Sequence, residues 1–235
     1  MNKEEFILEL KKINIELTSE QLEKLEKYKN LLLQYNKHTN LTAIKDDNLV
    51  YLKHFYDSLT IANDLKSGKV LDIGTGAGFP GMVLAIVRDD LEYVLLDSNN
   101  KKIKFLEYLS EELNITNVTL IHDRAENYIR NNIEVFDYVT SRAVAKLRIL
   151  CELAIPALKV GGSFIAMKGN LDEELDEAAD TIEILNSSII NHNKFKLPIE
   201  LSNRENIIII KNNTTNSAYP RSYDKILKKP LVKIK

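Results

Sequence analysis

The sequence predicts an α/β fold: a mainly parallel seven-stranded sheet with helices on both faces, an antiparallel hairpin at one edge, and a small N-terminal helical extension. Three observations carry that reading. Short apolar runs alternate with helix-length periodic segments from residue 69 to residue 185; the first run ends in a glycine-dense loop; and no helix-length segment separates the last two runs, 187–197 and Ile207-Ile208-Ile209-Ile210. Alternation specifies parallel strands joined by crossover helices, whereas adjacent runs without a crossover pair antiparallel.

In chain order, residues 3–13 carry Phe6, Ile7, Leu10 and Ile13 at helical spacing. Thr18-x-x-Gln21 is a capping-box pattern, and Leu22, Leu25, Leu32 and Leu33 continue an apolar stripe to about residue 35. A polar stretch, Asn36 to Thr42, leads to a third helix from about Asp47 to Leu59, where spacing alone assigns His54, Asp57 and Ser58 to a solvated face. The alternation then runs strand 70–73, helix 79–88, strand 92–97, helix 100–113, strand 118–122, helix 125–130, strand 136–141, helix 146–158, strand 163–167 after Gly161-Gly162, and an acidic helix 171–185. This divides the chain into an extension (1–66), a sheet domain (67–211) and a basic tail (212–235).

A chain of 235 residues accommodates one α/β domain of about 150 residues and a smaller attachment. No apolar run approaches the roughly 18 residues that cross a bilayer, and Met1-Asn2-Lys3-Glu4-Glu5 opens no signal peptide. The single Cys151 excludes an internal disulfide and cannot build a metal site alone. A cytoplasmic monomer without metal or membrane attachment is the expectation. With a net charge of −2, any basic surface must be local. Over the last 25 residues, Lys211, Arg221, Lys225, Lys228, Lys229, Lys233 and Lys235 stand against Asp224 alone, so the tail is where a phosphate backbone could be met.

The chemistry concentrates in Asp72-Ile-Gly-Thr-Gly-Ala-Gly-Phe-Pro-Gly81. A strand that ends in Gly74, Gly76, Gly78 and Gly81, with Pro80 suited to a helix start, lets backbone N–H groups approach a ligand closely. Asp97 ends the next apolar run, where an acid accepts hydrogen bonds from ribose hydroxyls. The ligand should therefore contain a nucleoside. Dinucleotide loops space their glycines G-x-G-x-x-G; here the spacing is G-x-G-x-G, and Asp72 precedes it. A carboxylate there would repel a pyrophosphate but suit the cationic end of S-adenosylmethionine, so that cofactor is favoured over NAD.

These residues resemble the RsmG (GidB) family of bacterial 16S ribosomal RNA guanine-N7 methyltransferases. The matching pieces also include Asn40-Leu41-Thr42, His54 with Asp57-Ser58, Leu95-Leu-Asp97-Ser98, Arg124-Ala125-Glu126, Ser141-Arg142-Ala143, Lys168-Gly169 and Tyr219-Pro220-Arg221. The resemblance implies a Rossmann-like class I S-adenosylmethionine-dependent fold. It also implies methyl transfer to N7 of one guanine, position 527 in customary rRNA numbering, with 16S rRNA or the small ribosomal subunit as partner. It places Gly74, Gly76, Gly78 and Phe79 along the cofactor, Asp97 on the ribose, Ala125 and Glu126 on the adenine side, and Arg142 at the substrate end. Val83, Asp123 and Ser222-Tyr223-Asp224 depart from the family's usual residues.

Guanine N7 already presents an in-plane lone pair, so no general base is required, and catalysis must come from alignment, which can supply roughly 7–11 kcal/mol. The motifs of other methylations are absent: there is no Asx-Pro-Pro-aromatic loop and no Pro-Cys nucleophile, and Cys151 lies in an apolar helical stripe. Arg142 is the candidate for orienting the base. Arg124 and Lys168 are candidate phosphate contacts, Arg221, Lys228 and Lys229 candidate RNA contacts, and His54 a positioning residue. The alternatives are a methyltransferase of a protein or small molecule and, less favoured, an NAD-dependent dehydrogenase; none of the ten tyrosines has a lysine four residues on, as hydride-transfer machinery would want.

Overall fold

A computed structural model describes residues 1–233 of the chain. Strand β1 (Lys69–Ile73) is buried, with Val70 directed to one face of the sheet and Leu71 and Ile73 to the other, as a central parallel strand requires. It pairs with β2 (Glu92–Asp97) on one side and β4 (Phe136–Arg142) on the other. Outside these lie β3 (Val118–His122) and β5 (Leu158–Lys168). Beyond β5, the hairpin of β6 (Ser187–Lys196) and β7 (Asn203–Lys211) gives a seven-stranded sheet of order β3-β2-β1-β4-β5-β7-β6. β7 runs antiparallel to both β5 and β6, which is the expected edge hairpin.

Helices α5 (Gly81–Val87) and α6 (Asn100–Leu113) cover one face. Helices α7 (Ala125–Arg130), α8 (Leu147–Ala157) and α9 (Asp172–Ile184) cover the other. The N-terminal helices α1 (Lys3–Lys12) and α2 (Ser19–Thr39) have the caps their sequences promise: both start with a full capping box, Asn2 with Glu5 and Thr18 with Gln21. They do not form a core of their own. Phe6, Tyr28 and Leu32 share one buried cluster with Val83 and Leu106.

Two elements differ from the expectation. Residues 47–59 are helical, as α3 (Asp47–Leu49), a π-helical stretch Val50–Tyr56 and α4 (Asp57–Leu59), but nearly every residue from Val50 onward is buried. His54, Asp57 and Ser58 are buried rather than solvated, His54 against Thr42, Phe79 and Arg142 and Asp57 against Arg142 and Arg204, and widened π-turns of this kind concentrate at functional sites. Strand β5 begins at Leu158 instead of 163; Gly161-Gly162 sit inside it at a register shift against Phe136 and Tyr138, so the glycines form a bulge rather than a lead-in. No helix among the described residues is long and apolar enough to cross a membrane, and no group of His, Cys, Asp or Glu there could hold a metal ion.

Candidate functional site

The carboxyl ends of β1, β2 and β4 open into a cavity of about 530 Å³, within the range of small-ligand sites. The loop after β1 is tied to β2, with the N–H groups of Gly74 and Thr75 donating to the Leu96 carbonyl at 2.8 and 3.1 Å. Its glycines serve different needs. A Cβ on Gly78 would lie 2.5 Å from the Tyr28 hydroxyl, and one on Gly81 would lie 2.2 Å from Leu95 Cδ2, so both exist for close packing and neither lines the cavity. Gly76, at φ +63°, would meet nothing nearer than Lys102 Nζ at 3.8 Å; its open side faces the cavity.

Asp72 is also turned away from the cavity. Fully buried, it accepts from Gly81 N at 2.9 Å and Thr140 Oγ1 at 3.0 Å, fixing the start of α5 against β4. It therefore shapes the loop from beneath and cannot meet a cationic ligand directly. Burial pushes its carboxyl up to about 6, despite the hydrogen bonds that favour the ionised form. A carboxyl whose native pKa exceeds its unfolded value of 3.8 binds more protons when folded; its stabilising contribution is complete below 3.8 and is lost as pH rises through about 6. Asp72→Asn can keep both hydrogen bonds, so the variant should lose less stability than the parent, by about 3 kcal/mol, between pH 3.5 and pH 7. Denaturant melts across that range check it; parallel pH profiles would show that Asp72 is not the group responsible.

Asp97 lines the cavity at the tip of β2, 7% exposed. Oδ2 accepts from Gly76 N and Oδ1 from Asn99 N, each at 2.8 Å, which leaves about half of a carboxylate's roughly four acceptor positions free for a ligand hydroxyl. Lys102, at the start of α6, stands 4.0 Å from Oδ2. Ala125 and Glu126, in the first turn of α7, line the far wall, where Arg124 Nε donates to Glu126 Oε1 at 3.0 Å. The open side of Gly76 and the spare acceptors of Asp97 fit a hydroxyl-rich nucleoside ligand such as S-adenosylmethionine.

At the opposite end is Arg142, the last residue of β4. Its Nη1 donates to Lys53 O at 2.7 Å and Asp57 Oδ2 at 3.1 Å, and its Nη2 to His54 Nδ1 at 3.1 Å. This is a largely buried, preset guanidinium rather than a surface ion pair. Because Arg142 can only donate, His54 Nδ1 accepts, so the ring proton is on Nε2 and points to Thr42 Oγ1, 2.9 Å away. Burial, then the Arg142 charge, lowers the His54 pKa to about 3; the ring is neutral at physiological pH. Phe79 lines the cavity but is stacked on His54 (4.0 Å) and Tyr28 (5.5 Å), which commits its ring to packing.

The basic candidates separate. Lys168 Nζ is saturated by Ala145 O and both oxygens of Glu174, and Arg221 grips the buried Glu152 through Nε and Nη2 at 2.6 and 2.7 Å. Neither leaves its charge free for RNA. Lys211 is likewise buried against Glu134 and Leu158 O. Lys228 and Lys229 are exposed, with Lys225 beside them, at helix α10 (Tyr223–Lys228); Lys235 lies outside the described residues.

Sequence reasoning missed Tyr223. The tail is strapped to the domain by Arg221, by Arg130 Nε to Pro220 O at 3.2 Å, and by Arg148 Nη1 to Ile226 O at 3.1 Å. That strap brings Tyr223 into the cavity wall, with the Arg124 guanidinium 4.8 Å from its ring centre. Tyr223→Ala should weaken S-adenosylhomocysteine binding by roughly 2- to 13-fold, the worth of one lost stacking contact, while Tyr223→Phe stays near the parent. Calorimetric titration distinguishes them; equal losses in both would mean that the hydroxyl, not the ring, matters.

The model of the rRNA small subunit methyltransferase G family, GidB, matches residues 21–214. The chain belongs to that family. Its relatives include the ribosomal RNA small subunit methyltransferase G of Desulforamulus reducens, 45% identical with 94% of this chain and 95% of the relative covered. The Fusobacterium nucleatum enzyme of the same name is 43% identical, covering 94% and 97%. Among solved structures, a SAM-dependent methyltransferase from Aquifex aeolicus superposes with a TM-score of 0.56 at 15% identity, over 73% of this chain and 97% of that one. M. jannaschii TYW2 in complex with AdoMet gives 0.55 at 14%, over 66% and 73%. These structures share the class I methyltransferase fold with this GidB-family chain; the fold is all that such low identities establish.

Proposed function

We infer that this chain transfers a methyl group from S-adenosylmethionine to N7 of a guanine in 16S ribosomal RNA, at position 527 in customary numbering. The observation that carries the reading is the nature of the groups at the Arg142 end of the cavity: a fixed cation and a neutral histidine whose accepting nitrogen is already occupied. Nothing there is free to remove a proton, and N7 needs none removed.

S-adenosylmethionine, when bound, supplies an electrophilic methyl group on its sulfonium. Asp97 would hold the ribose, with Gly74, Gly76, Ala125 and Glu126 around the adenosine and Tyr223 closing the wall. Arg142 would orient the guanine through O6, because a donor placed on N7 itself would occupy the attacking lone pair. Its clamp to Lys53, His54 and Asp57 keeps the donor direction fixed, so little reorganisation accompanies the transfer. Asp72 and Gly78 are assigned to holding the loop rather than to ligand contact.

Labelled-methyl transfer tests the substrate class: small subunits or 16S rRNA should accept label, and labelling confined to bulk protein or small molecules would refute it. For the tail, replacing Lys225, Lys228 and Lys229 with Gln should lower the slope of log affinity against log salt by roughly two to three, with Arg221 left to hold the strap. An unchanged slope would place the RNA elsewhere on the surface.

A further inference from the structure

A second cavity, of about 360 Å³, lies beyond Arg142 from the first, between the carboxyl ends of β4 and β5, the π-helical turn and the start of β7. Arg142, Ala143 and His54 are common to both linings. Lys53, Arg142, Lys168 and Arg204 bring four cations to its wall, and Asp57 is the one carboxylate in the lining. Asp57 is 4% exposed and already divided: Oδ2 accepts from Arg142 Nη1 at 3.1 Å and Oδ1 from Arg204 Nε at 3.2 Å. Lys53 pairs with Glu200 at 2.9 Å and Lys168 with Glu174 at 2.7 Å, both from outside the lining. Four positive charges against three negative leave this cluster one anion short. His54 is neutral and supplies no charge of either sign.

The shortfall is local to the two arginines. Two guanidinium groups with side chains 14% and 20% exposed share one carboxylate, and a partly desolvated cation without a full counter-ion is unfavourable unless something else neutralises it. Among the described residues, Arg204 Nη2 and Arg142 Nε have no hydrogen-bond acceptor. The missing anion must be small enough for the cavity and able to accept several charge-assisted hydrogen bonds, which is the chemistry of a phosphate. We propose that the cavity holds the phosphate of the nucleotide whose base meets the methyl donor, and that Arg204 touches it. The two cavities would then receive the two halves of one reaction complex, with Arg142 between them.

This assignment rests on the RNA methyltransferase reading, and the test separates the two. With the full chain, guanosine, guanosine 5′-monophosphate and inorganic phosphate are compared as competitors of 16S rRNA methylation, and RNA affinity is measured across salt concentrations. In the parent, the monophosphate should compete roughly tenfold or more better than guanosine, the worth of a charge-assisted contact. Arg204→Gln should abolish that preference and lower the salt slope by about one, while Arg204→Lys retains part of both. If Arg204→Gln does not fold, Lys53→Gln, whose partner Glu200 is on the surface, should shift the preference and slope the same way by a smaller amount.

A parent enzyme that methylates RNA but does not distinguish the monophosphate from guanosine would overturn the phosphate site alone. Inorganic phosphate competing as well as the monophosphate would show an anion site unconnected to the target nucleotide and would also overturn it, as would unchanged preference and slope in the variants. A parent that methylates no RNA would instead remove the reading beneath it.

Discussion

Arg142→Ala should lower methyl transfer to 16S rRNA by roughly 100- to 1,000-fold, the cost of losing one preorganised donor in a water-poor site, while S-adenosylhomocysteine affinity changes by less than about fivefold. The two effects separate because the guanidinium stands at the β4 end of the cavity, on the other side of β1 from Asp97. Its removal also leaves Asp57 with Arg204 alone and His54 Nδ1 without a donor, and breaking a buried pair costs about 3–5 kcal/mol of stability. Arg142→Lys is therefore the companion variant: it keeps a cation near Asp57, but one ammonium cannot reach Lys53 O, Asp57 and His54 in the geometry of the guanidinium fork. Transfer should stay low in both. Equal loss of cofactor binding and transfer, or loss of neither, would refute the orienting role.

Asp97→Ala should weaken S-adenosylhomocysteine binding by roughly 10- to 100-fold, since a hydrogen bond to a charged acceptor contributes about 1.5–3 kcal/mol. Two effects act together. The ribose acceptor disappears, and Gly76 N and Asn99 N lose the oxygens that hold the loop and the start of α6 in place. Asp97→Asn keeps one acceptor oxygen and should fall between. Calorimetry gives the answer directly, and unchanged affinity in the alanine variant would remove Asp97 from the site.

Much of this was legible in the chain because the informative signals were local. The seven strands and their order of appearance follow from period and punctuation, and Gly76 and Asp97 follow from the strand-loop-strand pattern. What escaped depends on distant partners. Asp72 looked like a ligand group because it neighbours the loop in sequence, yet successive strand residues face opposite ways: Ile73 lines the cavity and Asp72 points beneath it. His54 and Asp57 looked solvated because helical spacing cannot reveal that Phe79, Arg142 and Arg204, far away in sequence, close over that face.

The tail misled for the same reason. Lys211 and Arg221 count as basic in any tally, but Glu134 and Glu152, far away in sequence, neutralise them. The strap made by Arg221 is also what carries Tyr223 to the cavity. Arg204 lies at the start of β7, between β5 and β6, with nothing local to mark it; only the fold brings it to Asp57, 147 positions earlier in the chain.

The proposed reaction delivers a methyl group to a guanine nitrogen that needs no deprotonation. Digesting 16S rRNA to nucleosides after reaction with labelled S-adenosylmethionine, and resolving them by mass spectrometry, tests this most directly. The label should appear in 7-methylguanosine; label in any other nucleoside, or in none, would contradict it.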